Sequence, residues 1–254
     1  MNTIIFSRVW TPALIETALK FARHRMPECR IVHLHNSTSG VGWDDAYDMG
    51  DIFESSMRFL NTNENAYGPN DRMFEKASIA RWNMLLHWMC EHKVDEVFHC
   101  DSDVLLYQNP WTTPHYKSGK VMVSGNGLGD WHAGNAMVTK DYLITVWDSV
   151  FSMVSDRTMT ANTVNDIAAW SRVIRRDGGY SEQNRIIDGC SWDHHMGEIG
   201  GWESEGGYKK LTWKDGNPYC KWLQTGEDIR LVNLHCWGDA EGKMPEYAKL
   251  GGMQ

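Results

Sequence analysis

No apolar run in the sequence approaches the roughly 18 residues that a membrane-spanning helix needs, which argues against a membrane span. The first residues, Met1-Asn2-Thr3-Ile4-Ile5-Phe6-Ser7, lack the charged start and long apolar core of a signal peptide; they read as a first buried strand. The six cysteines, Cys29, Cys90, Cys100, Cys190, Cys220 and Cys236, form no C-x-x-C pair. Structural zinc is therefore not expected, and a reduced, cytoplasmic compartment is the simpler reading. Positive charge is also short: the formal net charge is −8, so no basic field draws nucleic-acid backbones. Internal repeats and low-complexity segments are absent.

What remains is an ordinary globular composition, 42% hydrophobic and 23% charged over 254 residues, enough for one domain with a full α/β core. The thirteen tryptophans stand out. Aromatic faces stack on the C–H faces of sugars, but they also fill cores. Trp82, Trp88 and Trp170 lie on helical segments and are expected inside.

Residues 3–9 read as strand, with Pro12 at a helix start and helical spacing from Ala13 to Arg25. Residues 30–35 form a second strand ending at Asn36-Ser37-Thr38. This β-α-β opening predicts a parallel sheet, with ligands beyond the carboxyl ends of its strands near Ser7, Arg8 and Asn36. Residues 38–73 are expected to be irregular apart from a short helix or extended segment near 52–60. Further helices are expected over 74–92, 141–155 and 162–176, with strands over 94–100, 121–124 and 136–139. Another helix is expected to open at Ser181, which would cap it.

The chemistry concentrates in a few segments. The strand ending at Cys100 runs into Asp101-Ser102-Asp103 and then Val104-Leu105-Leu106. Carboxylates at the end of a core strand carry a desolvation cost, which a hard divalent cation offsets. In a continuing strand Asp101 and Asp103 share a face; a turn at Ser102 would also let both reach one ion. The same pattern fits a solvated acidic turn. Upstream, Arg81 falls on the apolar stripe of the helix over 74–89, where a guanidinium needs an anionic partner or snorkels. Downstream, Ala133-Gly134-Asn135 lets a ligand approach the backbone closely, or forms a hairpin turn. Near the C-terminus a short strand delivers His235, followed by Gly238 and Lys243.

Together these segments resemble GT-A glycosyltransferases. Asp101-Ser102-Asp103 is similar to their Asp-X-Asp signature, and the segment from His235 through Gly238 to Lys243 resembles the His-X-X-Gly-X-X-Lys run of glycogenin-like and bacterial lipopolysaccharide glycosyltransferases. Lys243 is displaced by about two positions from that run. Gly134 precedes Asn135, whereas many members place the Asn first. Glu182-Gln183 resembles a late acidic-Gln pair that binds sugar hydroxyls.

The resemblance implies an α/β fold with a mixed, mostly parallel sheet flanked by helices. It implies a single GT-A domain over residues 1–254, binding nucleotide-sugar up to about residue 105 and acceptor from about 106. Asp101, Asp103 and His235 would hold Mn²⁺ or Mg²⁺ on the diphosphate. Arg81, Ser102, Gly134, Asn135 and Lys243 would lie against the donor, a UDP-sugar by preference or a GDP-sugar. The acceptor would be a hydroxyl of a glycan or glycoconjugate. Glu182, Asp188 or Asp193 would supply a base if the reaction inverts, while the His235 segment tilts towards retention. His194-His195 also raises the thought of a separate zinc site, although adjacent histidines diverge on regular structure.

Two other classes compete. A nucleotidyltransferase would normally carry a Gly-rich loop after strand one, where this chain has Ser7-Arg8-Val9-Trp10-Thr11-Pro12. A noncatalytic carbohydrate-binding protein would leave the position of Arg81 unexplained.

Overall fold

Alternate residues of the first strand feed two different cores. Ile4 and Phe6 pack with helix α1 (Ile15–Arg25) on one face, and Ile5 packs with helix α3 (Arg72–Glu91) on the other, as the two-residue period of a strand dictates. The computed structural model describes residues 1–8, 14–36, 42–66, 72–125, 130–156 and 164–253. The expectations placed on the Arg8 side chain, Pro12, Ala13, Ser37, Thr38 and the start of the 162–176 helix lie outside the described residues.

The elements follow in chain order. Strand β1 (Thr3–Arg8) is followed by α1, β2 (Arg30–His35), β3 (Ala46–Asp48) and helix α2 (Gly50–Leu60). Helix α3 leads to β4 (Glu96–Asp101), β5 (Val104–Leu106), β6 (Val121–Gly125) and β7 (Trp131–Thr139). Helices α4 (Lys140–Ser155) and α5 (Asp166–Asp177) precede β8 (Tyr180–Glu182) and β9 (Cys190–Ser191). Short antiparallel strands β10 (Ser204–Glu205), β11 (Tyr208–Lys209), β12 (Leu211–Lys214), β13 (Asn217–Lys221) and β14 (Asp228–Leu231) come next. The last elements are β15 (Asn233–His235) and helix α6 (Met244–Leu250).

Among the described residues, seven strands form the main sheet in the order β3-β2-β1-β4-β7-β6-β8. The pairs β3–β2, β2–β1, β1–β4 and β6–β8 are parallel, and β7 is antiparallel to both neighbours. Helices α3, α4 and α5 pack on one face, α1 and the C-terminal segments on the other. This is the mixed, mostly parallel sheet flanked by helices that the sequence implied. Trp82, Trp88 and Trp170 are buried in the α3 core. No described helix is long and apolar enough to cross a membrane.

Two local expectations need correction. The short helix expected near 52–60 is α2, which packs on α3 through the Ser56 hydroxyl, accepting a hydrogen bond from the Asn83 amide at 2.9 Å, but strand β3, which extends the sheet beside β2, was not expected in this segment. The helix expected at Ser181 does not form. Residues 180–182 are instead strand β8, added beside β6, and the Ser181 hydroxyl donates to the His115 carbonyl at 3.0 Å rather than capping a helix. An acid following a serine has the look of a helix start, but tertiary pairing with β6 wins.

Candidate active site

The middle of strand β4, Val97 to Cys100, is buried, and its last residue, Asp101, emerges at the carboxyl edge of the sheet next to Ser7 of β1. Ser102 and Asp103 turn the chain into β5, and β5 pairs antiparallel with β15, setting His235 opposite Val104. The Cys236 amide then donates to the Asp103 carbonyl at 2.8 Å, closing the corner. Local geometry thus brings together three residues far apart in sequence: Asp101, Asp103 and His235 place their ligand atoms within 4.8 Å of one another. Among the described residues this is the one group able to hold a metal ion.

The neighbouring strand leaves room for it. A Cβ on Gly134 of β7 would lie 2.7 Å from Asp101 Oδ2 and 3.3 Å from His235 Cε1, so only glycine fits beside these ligands. Two carboxylates and an imidazole form a hard, partly nitrogenous donor set of the kind that suits Mn²⁺ and tolerates Mg²⁺. The residues present therefore fit a divalent cation.

The carboxylates and the imidazole of this corner shift one another's titration. Burial drives the Asp101 pKa up, opposed by Arg81 and reinforced by Asp103. Burial would lower the His235 pKa, but Asp103 and Asp101 outweigh it and push the value to about 9. His235 Nε2 lies 3.5 Å from Asp103 Oδ1. The raised pKa favours the imidazolium form of His235 beside Asp103.

Arg81 reaches the site from α3. Its guanidinium pairs with Asp101 and, through Nη2 at 2.8 Å, with Asp166. Asp166 stands in the first turn of α5, where the Asn165 side chain caps the helix by accepting from the Ala168 amide at 2.7 Å. The anionic partner that the sequence demanded for Arg81 is therefore present twice over.

A cavity of about 600 Å³ opens over these residues. Ser7, Arg81, Asp101, Ser102, Asp103, Gly134 and His235 line it. Beneath it the Ser7 hydroxyl lies 2.6 Å from His99 Nε2. Asn135 is buried in β7 opposite Cys100 and does not line the cavity. Nor does Lys243, whose ammonium lies 4.7 Å from the Tyr208 ring centroid. Glu182 and Asp188 are also away from it: Glu182 accepts from Arg185 Nε at 2.7 Å, and Asp188 occupies a left-handed turn position with φ 49°. Asp193 is buried against Lys209.

Sequence reasoning gave no site role to several cavity residues, among them Asp166, Glu198, His132 and Ile167. Asp166 left one signal, an acid at the start of a helical segment, which has a sufficient local explanation in the helix dipole. His132 and His194 face one another, ring centroids 4.4 Å apart. Burial lowers the pKa of both, that of His194 to about 3, with neighbouring His132, His235 and His195 adding to the effect. These shifts favour the neutral imidazole, which can both donate and accept a hydrogen bond.

No family model matches the chain, and no curated protein matches it by sequence. Solved structures do. The galactosyltransferase LgtC, in complex with donor and acceptor sugar analogues, superposes with a TM-score of 0.56 at 13% identity, covering 98% of this chain and 95% of that one. Mouse xyloside xylosyltransferase 1 gives 0.53 at 6% identity, covering 94% and 97%. The glycosyltransferase GlyE of Streptococcus pneumoniae TIGR4 gives 0.53 at 11% identity, covering all of this chain and 60% of its own. With the strand order, the Asp-X-Asp corner and these superpositions in agreement, the chain has the GT-A glycosyltransferase fold.

Proposed function

We propose that this protein is a metal-dependent glycosyltransferase, moving a hexosyl or pentosyl unit from a nucleoside diphosphate sugar to a hydroxyl acceptor. The observation that carries this reading is the convergence of Asp101, Asp103 and His235 at the carboxyl edge of a GT-A sheet, on the wall of a cavity large enough for a sugar donor. Asp101, Asp103 and His235 would hold Mn²⁺, or Mg²⁺, against the diphosphate. When bound, the ion supplies charge neutralisation for the departing nucleoside diphosphate.

The protein's own groups do the rest. Arg81 keeps a fixed positive charge beside Asp101, where negative charge develops on the leaving group. Asp166 orients that guanidinium from the far side. Neutral His132 and His194 offer hydrogen bonds to sugar hydroxyls without adding charge. Ser102 and Gly134 let the donor approach the backbone. Residues up to about 105 act as the nucleotide part and the remainder as the acceptor part, with a UDP-sugar as the preferred donor, a GDP-sugar as the second choice and a glycan or glycoconjugate as the acceptor. Asn135 and Lys243 act from behind this wall, supporting β7 and the loop after His235.

Retention of configuration is the reading we favour. The carboxylates first considered as acceptor bases, Glu182, Asp188 and Asp193, do not line the cavity, and Asp166, which does, is bound to Arg81; Glu198 and Glu241 also line it, and replacing Glu198 tests the inverting alternative. We place the protein in a reducing cytoplasmic compartment, because its six cysteines are all free.

The test is a thermal-shift screen of UDP- and GDP-sugars with and without Mn²⁺, followed by mass spectrometry of products and NMR of the new anomeric proton. Stabilisation by nucleotide that needs Mn²⁺, followed by sugar transfer, is the expected result. Glycan binding without metal or nucleotide would replace it with a carbohydrate-binding role, and nucleotidyl transfer with a nucleotidyltransferase.

A further inference from the structure

A fully buried ion pair lies behind the metal corner rather than in it. Lys209 of β11 and Asp193 have side chains only 3% and 0% exposed, with Lys209 Nζ 2.7 Å from Asp193 Oδ1. The same ammonium donates to the His195 carbonyl at 2.6 Å. One cation thus holds the residues on both sides of His194. Its own strand is anchored by the Lys209 amide, which donates to the Met196 carbonyl at 2.9 Å.

What this segment presents is aimed at His235. The His194 carbonyl lies 2.6 Å from His235 Nδ1, and Asp193 Oδ2 accepts from the His235 backbone amide at 2.9 Å. The Met196 amide donates to the His235 carbonyl at 3.1 Å. Asn233 binds the start of the segment in both directions: its side chain accepts from the Asp193 amide at 2.7 Å and donates to the Asp193 carbonyl at 2.9 Å. With Nδ1 committed to a carbonyl, the ring nitrogen left facing Asp103 is Nε2.

We propose that Lys209 and Asp193 are the positioning residues of the metal centre: the clamp from the β10–β11 hairpin fixes the orientation of the His235 ring so that Nε2 points to the cation. The proposal rests on the metal-dependent reading above. A buried ion pair is a poor source of net stability, since apolar residues of similar volume often do as well. Groups that orient a ligating histidine, in contrast, alter metal affinity directly. Asp193 is thereby given a role distinct from acceptor base.

Two variants test this by Mn²⁺ binding, read as free Mn²⁺ by electron paramagnetic resonance without nucleotide or turnover. The double variant Asp193→Asn/Lys209→Met removes both charges together, leaving no buried charge alone and keeping an oxygen for the His235 amide. It should raise the Mn²⁺ dissociation constant by roughly 10- to 100-fold, and excess Mn²⁺ should restore turnover. Lys209→Arg keeps the charge but moves the donors off the shared point between Asp193 and His195; it should weaken Mn²⁺ in the same direction and serves where the double variant does not fold. Wild-type Mn²⁺ affinity in the folded fraction of either variant overturns the proposal. A wild-type chain that binds no Mn²⁺ at all overturns the metal reading itself, and the positioning role with it.

Discussion

Arg81 and Asp166 are joined across the cavity, Nη2 to Oδ2 at 2.8 Å, while the other arm of the same guanidinium holds Asp101. Replacing Arg81 with Met leaves two carboxylates facing each other without a cation. Breaking a mostly buried pair in this way costs about 3–5 kcal/mol. A divalent ion at Asp101 offsets part of that loss, so Mn²⁺ should raise the Tm of Arg81→Met by more than it raises that of the wild type. Equal Mn²⁺ shifts in the two proteins would separate Arg81 from the metal site.

Gly134→Ala tests the space beside the ligands. The added methyl would fall 2.7 Å from Asp101 Oδ2, and if Asp101 ligates as proposed it cannot move away without leaving the cation. Overpacking of this kind costs about 1–3 kcal/mol. Mn²⁺-dependent nucleotide binding should be lost or much reduced while a folded protein survives, as circular dichroism and calorimetry with UDP would record. Unchanged Mn²⁺ affinity would mean that Asp101 does not ligate.

The pH dependence follows from His235. Its pKa of about 9 in the metal-free fold lies above the ordinary 6.5, so its contribution to stability is complete below about 6.5 and is lost as pH rises through about 9. Asp101, also raised, acts with the same sign at lower pH. Metal-free protein should therefore lose stability with rising pH. Mn²⁺ displaces the His235 proton, so apparent Mn²⁺ affinity should keep climbing up to about pH 9 instead of levelling near 6.5. In His235→Ala this climb should flatten. Parallel affinity curves for the two proteins would remove His235 from the ligand set.

Glu198 decides between stereochemical outcomes, since it lines the cavity and makes no ion pair among the described residues. Under retention, Glu198→Gln should lower kcat less than tenfold. A loss of roughly 10²- to 10⁴-fold, with an inverted anomeric product, would make it a general base and reverse the reading.

The convergence of Asp101, Asp103 and His235 was legible because each residue announces itself locally. Asp101 and Asp103 end an apolar strand, and His235 ends another; the chemistry of a carboxylate on a buried strand is visible without the fold. Arg81 was legible for the same reason, a charge on an apolar helix face. Other features depended on pairing that no local pattern encodes. Glu182 sits on β8 because β6 accepts that strand, although Ser181-Glu182 looks like a helix start. The meeting of His132 with His194 joins β7 to a loop beyond β9, and neither segment carries a periodicity that points to the other. Asp193 was read as a possible base because a carboxylate among aromatic and polar residues looks available, and only Lys209, arriving from a later hairpin, makes it unavailable.

The pairing of β5 with β15 has a consequence for biosynthesis. His235 is opposite Val104, immediately after Asp103, yet about half of the chain is made between them. A ribosome-bound chain that has emerged only through the Asp-X-Asp corner has two carboxylates and no imidazole to complete the set. On the metal-dependent reading proposed above, tight cation capture is therefore deferred until β15 has left the ribosome and docked, so that incomplete chains would compete poorly for the ion.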